Sequence, residues 1–267
     1  MVINTNMAAI TTASDLNQAT NSLDESLARL SSGTKIVDPS DDPAGLAESI
    51  SLGAQINQTA AANSNVSNAV SFLQTQDGYL QQVGAALDQM STLAVESQDV
   101  TKTDAERSDY QQEFSTLAGY IGSTATTDFN GVSLFAGTTL AVTTDGTGDT
   151  FNMTGIDLSA AAYTAATAAD ISTTTGAVAA LTAVTAAVVQ LATDRATVGA
   201  NEERLTYTGD ELGVLQDNLT AANSQLMDVD VATESTTYAK YQILVQSATS
   251  MLAQANANPQ SVLKLLS

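Results

Sequence analysis

The chain contains no cysteine, no histidine and no tryptophan, and aromatic residues make up only 4% of it. Without cysteine there can be no disulfide, thiolate nucleophile, zinc knuckle or iron–sulfur cluster. Without histidine the usual general base and the commonest transition-metal ligand are missing. So few aromatics are thin for an enzyme with a shaped pocket. Positive charge is also scarce, with 8 Lys+Arg against 29 Asp+Glu in 267 residues and a formal charge of −21. A pI near 4.1 repels phosphate backbones and anionic lipid, which excludes nucleic acid as a natural partner. The cations Arg29, Lys35, Lys102, Arg107, Arg195, Arg204, Lys240 and Lys264 are scattered and form no basic patch. Residues 1–6 lack a basic n-region and Asp15 interrupts the first apolar stretch, so no cleavable signal peptide is expected. Ile171 to Thr193 carries no charge, but it is mostly Ala and Thr and reads as a buried helix, not a membrane span.

Two of the three prolines, Pro39 and Pro43, fall in Asp38-Pro39-Ser40-Asp41-Asp42-Pro43. That run cannot be a helix interior and reads as a hinge, with Ser40, Asp41 or Asp42 free to cap the next helix. On either side the pattern is heptad. Before the hinge, Leu16, Leu23, Leu27 and Leu30 continue a four–three spacing that Gly33 ends. After it, Val66, Leu73, Leu80, Leu87 and Ala94 lie at strict sevens, with Val70 and Met90 between them. A helix from about 44 to 99 is expected, then a second over about 104–121. The sevens return as Val184, Leu191, Val198, Leu205, Leu212, Leu219 and Leu226, with Leu215, Ala222 and Val229 three residues after the last three. A period of 3.5 implies left-handed supercoiling. A final amphipathic helix should run to about Asn256.

Between these regions the chain is rich in Thr, Ala, Gly and Asp. Asn130-Gly131 signals a tight hairpin, and Phe151-Asn152-Met153 and Ile156-Asp157-Leu158 are short strand candidates. The expectation is a mainly α chain: a long antiparallel coiled-coil rod with a small β-hairpin and loop segment in the middle, exposed to solvent. Its divisions would be 1–43 (first terminal helix and hinge), 44–137 (rod with hairpin start), 138–176 (exposed Thr/Ala-rich segment), 177–227 (second heptad helix) and 228–267 (last terminal helix). One chain cannot easily cover the seams of such a rod, and polymerisation would.

No catalytic constellation is present and no cofactor is expected. Asp41 and Asp42 fit helix capping better than metal or acid–base work. Asp145-Gly146-Thr147-Gly148-Asp149 faintly resembles a calcium loop without the rest of its ligand set. The heptad leucines read as packing.

Several motifs in order resemble bacterial flagellin: Val2-Ile3-Asn4-Thr5-Asn6, Leu30-Ser31-Ser32-Gly33, Asp41-Asp42-Pro43-Ala44-Gly45-Leu46, Phe129-Asn130-Gly131, Asp194-Arg195-Ala196-Thr197-Val198-Gly199 and Met251-Leu252-Ala253-Gln254-Ala255-Asn256. The match covers roughly residues 1–137 and 176–267. The resemblance implies a non-enzymatic structural subunit, secreted through the flagellar type III export apparatus, that polymerises with itself into the extracellular filament for motility. It implies further partners in a flagellin chaperone, the filament cap and the junction proteins. Leu16, Leu23, Leu27, Leu30, Ile243, Leu252, Leu263 and Leu266 would pack the inner core. Val66, Leu73, Leu80, Leu87 and the sevens from Val184 to Leu226 would pack the rod. Gln89, Leu93 and Glu113 would form at most a weak surface for the innate flagellin receptor. The proline-rich hinge and Leu134-Phe135-Ala136-Gly137 lean instead toward a hook–filament junction (hook-associated) protein. An acidic coiled-coil adaptor is a third reading.

Overall fold

A computed structural model describes residues 5–266, with side chains described from residue 5 to residue 258. It divides into two compact units, one made of residues 1–55 and 218–267 and the other of residues 56–217. The division falls inside two long helices, α2 (Pro43–Ser97) and α5 (Thr174–Met227), and not at the proline hinge. The hinge is packed within its own unit, with Ile36 buried beside Gly45.

In the first unit, α1 (Met7–Ser32) packs antiparallel on α6 (Val231–Leu266). Asn6 caps α1 by accepting from Ala9 N–H at 3.2 Å. Gly33 closes it in the left-handed region, its N–H donating to Arg29 C=O at 2.9 Å. The antiparallel order is pinned at both ends. Asn6 Nδ2 donates to Ala255 C=O at 2.8 Å, while Lys35 N–H meets Met227 C=O at 2.6 Å and Val229 N–H meets Gly33 C=O at 3.1 Å. The helix α6 runs on through Pro259 to Leu266, further than the expected end near Asn256. A proline deletes only one ladder donor, and the flanking turns supply the rest.

The hinge resolves the capping alternatives. Asp41 Oδ2 accepts from Val37 and Asp38 N–H, each at 3.2 Å. Asp42 caps α2, its Oδ1 accepting from Gly45 N–H at 2.9 Å, and Pro43 takes the first helical position, where no donor is needed.

In the second unit, α2 and α5 run antiparallel, with Asp77 against Arg195 and Gln74 against Glu202. The helix α3 (Asp104–Thr124) opens with a capping box between Thr103 and Glu106. Arg107 turns back over the end of α2, donating from Nε to Ser97 C=O at 3.0 Å and from Nη2 to Asp99 C=O at 2.8 Å. It thus places a cation on carbonyls that a helix end leaves bare.

The middle of the chain departs from expectation. It is not an exposed loop segment. Leu134, Phe135, Val142, Met153, Ile156, Leu158, Tyr163, Ala166 and Ile171 are buried in the same core as the heptad leucines. It forms two hairpins, β1 (Asp128–Phe129) with β2 (Val132–Ser133) and β3 (Leu140–Thr143) with β4 (Thr150–Met153), and a short helix α4 (Ala161–Thr167) that the Thr/Ala composition hid. The first turn has φ of 51° at Asn130 and 79° at Gly131, the pair of positive values that a two-residue hairpin requires. Ile156–Leu158 is not a strand; Asp157 only bridges Ala136. Two paired helices leave apolar flanks uncovered, and the spaced large residues of this segment fill them.

Candidate assembly surface

The seam of the second unit is longer and more regular than the leucines alone suggested. On α2 every position of a three–four ladder is buried: Thr59, Ala62, Val66, Ala69, Leu73, Gln76, Leu80, Val83, Leu87, Met90, Ala94 and Ser97. Ala69, not Val70, holds the intermediate position; Val70 is half-buried beside it. On α5 the ladder is Ala177, Ala180, Val184, Ala187, Leu191, Asp194, Val198, Asn201, Leu205 and Leu212. Leu219 and Leu226 belong to the first unit and are half-buried there. Leu215 and Ala222, expected in the second row, are exposed, although upstream that row is buried at Asp194 and Asn201.

The polar rungs have a use that the heptad pattern concealed. Gln76 Nε2 donates to Leu134 C=O, and Ser97 Oγ donates to Ile171 C=O. Asp194 Oδ2 accepts from Tyr163 O–H at 2.6 Å, and its Oδ1 accepts from Gln190 Nε2 at 2.8 Å. Three seam residues thus clasp the middle segment at three points. Burial, with the Asp194 carboxylate beside it, pushes the Tyr163 hydroxyl far above its ordinary pKa, so it stays a donor. Asn201 Nδ2 is buried without a hydrogen-bond partner. By length and composition alone α5 could cross a membrane, but its uncharged stretch, residues 174–193, has its seam in this core.

Other sequence candidates settle as turns and surface. The Asp145 carboxylate is taken up by its own loop, accepting from N–H of Thr147, Gly148 and Asp149 at 3.0, 2.7 and 2.7 Å. Among the described residues no group of three or more acidic side chains could hold a metal ion. Gln89 and Glu113 do meet on an exposed face, Nε2 to Oε1 at 3.3 Å. Leu93 is not part of that face: it is 2% exposed and packs in the core.

The first unit presents a different surface. Its helix pair buries a narrow stripe through Ala19, Ser26 and Ala255, with Leu16, Leu23, Leu30 and Leu252 half-buried along it. Ser26 Oγ donates to Glu234 across the pair. Leu27 and Ile243, expected in the packing, stand 50% and 65% exposed. Met7, Ile10, Val231, Leu244 and Met251 are exposed with them. Leu263 and Leu266 lie in the last turns of α6, where side chains fall outside the described ones. An antiparallel pair buries one stripe per helix, and these helices carry apolar residues around more of their circumference than that. What remains is an apolar surface with no catalytic groups converging on it, suited to packing against other helices.

Residues 3–139 match the model of the bacterial flagellin N-terminal helical region, and residues 181–266 match that of the C-terminal helical region. A flagellin of Halalkalibacterium halodurans is 35% identical over 272 residues, covering 100% of both chains. The crystal structure of Bacillus cereus flagellin superposes with a TM-score of 0.50 at 23% identity, covering 56% of this chain and 88% of that one. A Vibrio parahaemolyticus protein described as flagellar hook-associated superposes with a TM-score of 0.60 at 17% identity, covering 70% and 100%. At those identities both structures show the fold alone.

Proposed function

The chain belongs to the bacterial flagellin family, and on that premise we propose how its two units divide the work of a filament subunit. It is a structural protein of the bacterial flagellar filament. The first unit supplies the contacts that polymerisation needs: Leu27 and Ile243 meet neighbouring copies, while Leu16, Leu23, Leu30 and Leu252 hold α1 to α6. The observation that carries this reading is the set of large apolar side chains left exposed on that helix pair, among them Met7, Ile10, Ile243 and Met251. Burying them against further copies removes them from water at about 25 cal/mol per Å². The second unit keeps its core to itself and acts as a stiff body through which torque is passed on as propulsion. The chain acts mechanically and without catalysis. It leaves the cell through the flagellar export apparatus and ends in the extracellular filament, with a chaperone, cap and junction proteins as partners along that route.

The test is seeded assembly. Purified full-length protein is mixed with filament fragments in ammonium sulfate, which strengthens apolar burial, and viewed by negative-stain electron microscopy. Long filaments of uniform width are expected. Monomers or short oligomers under all conditions would overturn the reading.

A further inference from the structure

The first hairpin carries a reactive pair that the packing leaves unused. Asn130-Gly131 is the one Asn-Gly pair in the chain. Both residues are exposed, and a Cβ at Gly131 would meet no atom within 4 Å. The ladder pairs Phe129 with Val132, so both turn residues lie outside it. Among the described residues no hydrogen bond holds the Asn130 side-chain amide or the Gly131 N–H. Every other described asparagine lies in a helix, except Asn6, which caps α1, and Asn152, which precedes Met153 in β4. A helix fixes the backbone on both sides of its asparagines. A following glycine, by contrast, puts no side chain in the way of its own nitrogen. The hairpin that holds the pair is slight. Each strand is two residues long, and a two-stranded hairpin is marginal by itself. It is fastened by the Phe129 ring, edge-on to Phe72 at 5.9 Å between centroids, and by Leu134 N–H donating to Thr127 C=O at 3.0 Å.

We propose that Asn130 is a site of spontaneous deamidation and that the reaction unties this hairpin. Hydroxide removes the Gly131 amide proton. The nitrogen attacks Asn130 Cγ, the new N–C bond closes a succinimide ring, and the side-chain nitrogen leaves as ammonia, taking a proton from water. Water then opens the ring. Attack at the side-chain carbonyl gives aspartate, and attack at the main-chain carbonyl gives isoaspartate. Solvent is the only co-reactant, and nothing is oxidised or reduced. The tip must rotate to bring the nitrogen to Cγ, so the rate follows how often the hairpin opens. Openings of exposed tips with few buried contacts cost least. Isoaspartate routes the chain through Cβ and Cγ. The added methylene cannot reproduce the φ values of 51° and 79° that the two-residue turn requires. Phe129 is then released from Phe72, while Leu134 and Phe135, 2% and 1% exposed, stay anchored in the core. Either product also adds a carboxylate close to Asp128 on a chain that is already strongly acidic.

The experiment incubates the folded full chain at neutral and at mildly alkaline pH, beside the same chain unfolded in urea. Peptide mapping by mass spectrometry follows the mass gain of amide-to-acid conversion, and an isoaspartate-specific methyltransferase labels the isoaspartyl product. Asn130 should convert ahead of every other asparagine, release an equal amount of ammonia, and react faster at the higher pH. Its rate in the folded chain should lie within about tenfold of its rate in urea, because opening this tip costs little. Asn130→Gly keeps a turn pair that accepts positive φ and removes the reacting amide, so this turn should gain no mass. In the converted protein, amide exchange at Leu134 should speed up while the far-UV spectrum is unchanged. A folded rate more than about tenfold below the urea rate would overturn the proposal, and so would conversion of other asparagines ahead of Asn130. Isoaspartate in place of Asn130 with exchange at Leu134 unaltered would overturn the untying of the hairpin.

Discussion

The contact between Tyr163 and Asp194 offers the sharpest test of how the middle segment is held. Tyr163 is 1% exposed and Asp194 8%, and the 2.6 Å bond between them joins α4 to the seam of α5. Tyr163→Phe removes the hydroxyl and keeps the ring. The carboxylate then keeps only Gln190 at 2.8 Å in a setting where water cannot replace the lost donor. A hydrogen bond to a charged group contributes about 1.5–3 kcal/mol, and an orphaned buried acceptor loses most of that. For a body of this size each kcal/mol moves the midpoint by about 2–4 °C, so a drop of about 4–8 °C is expected. Asp194→Leu alone should cost a similar amount by stranding the Tyr163 hydroxyl. The double variant should recover much of the loss, because replacing both partners by apolar groups leaves neither unsatisfied, and Gln190, which loses its bond to Asp194, is only half-buried and can turn to water. The assay is thermal and urea unfolding of the full chain, followed by far-UV circular dichroism and arranged as a double-mutant cycle. A Tyr163→Phe cost below about 0.5 kcal/mol, or strictly additive single costs, would refute the clasp.

Three further outcomes are expected. The folded pKa of Tyr163 lies above its ordinary value of 10.0, so its stabilisation is full below about pH 10 and is lost as pH rises further; urea midpoints at about pH 9 and about pH 11 should show that alkaline loss, and Tyr163→Phe should flatten it. Gly45→Ala would place a Cβ 2.6 Å from Asp42 Oδ2 and 3.0 Å from Ile36 Cδ1, displacing the cap of α2 at a cost of about 1–2 kcal/mol, read as faster amide exchange in the first turns of that helix. Leu27→Ser combined with Ile243→Ser changes two side chains already half or more exposed, so the monomer midpoint should move by no more than about 0.5 kcal/mol, while seeded assembly, scored by electron microscopy, should be lost.

Much of the second unit was legible because a packed helix pair demands one periodicity. Val66, Leu73, Leu80 and Leu87 on α2, and Val184 to Leu212 on α5, mark the seam, and the structure buries each of them. The second row was harder to see. Ala62, Ala69, Ala177 and Ala180 are small, and small residues occur everywhere in this alanine-rich chain. Gln76, Ser97, Asp194 and Asn201 break the apolar rule because most of them answer groups far away in sequence. Leu93 and Val95 show the same limit near the end of α2. They are two residues apart, yet Leu93 is buried and Val95 is 53% exposed, a choice made by where α3 and the middle segment lie.

The sequence by itself therefore determined the helical class, the heptad register, the hinge, the Asn130-Gly131 turn and the excess of negative charge, since each depends on local chemistry or on a period along one chain. Only the tertiary structure decided that the middle segment is core and not surface. Its apolar residues are irregularly spaced, and their burial depends on flanks that exist only after α2 and α5 have paired. The same holds for which terminal side chains stay exposed. Two helices can bury only one stripe each, and which stripe is set by the partner helix.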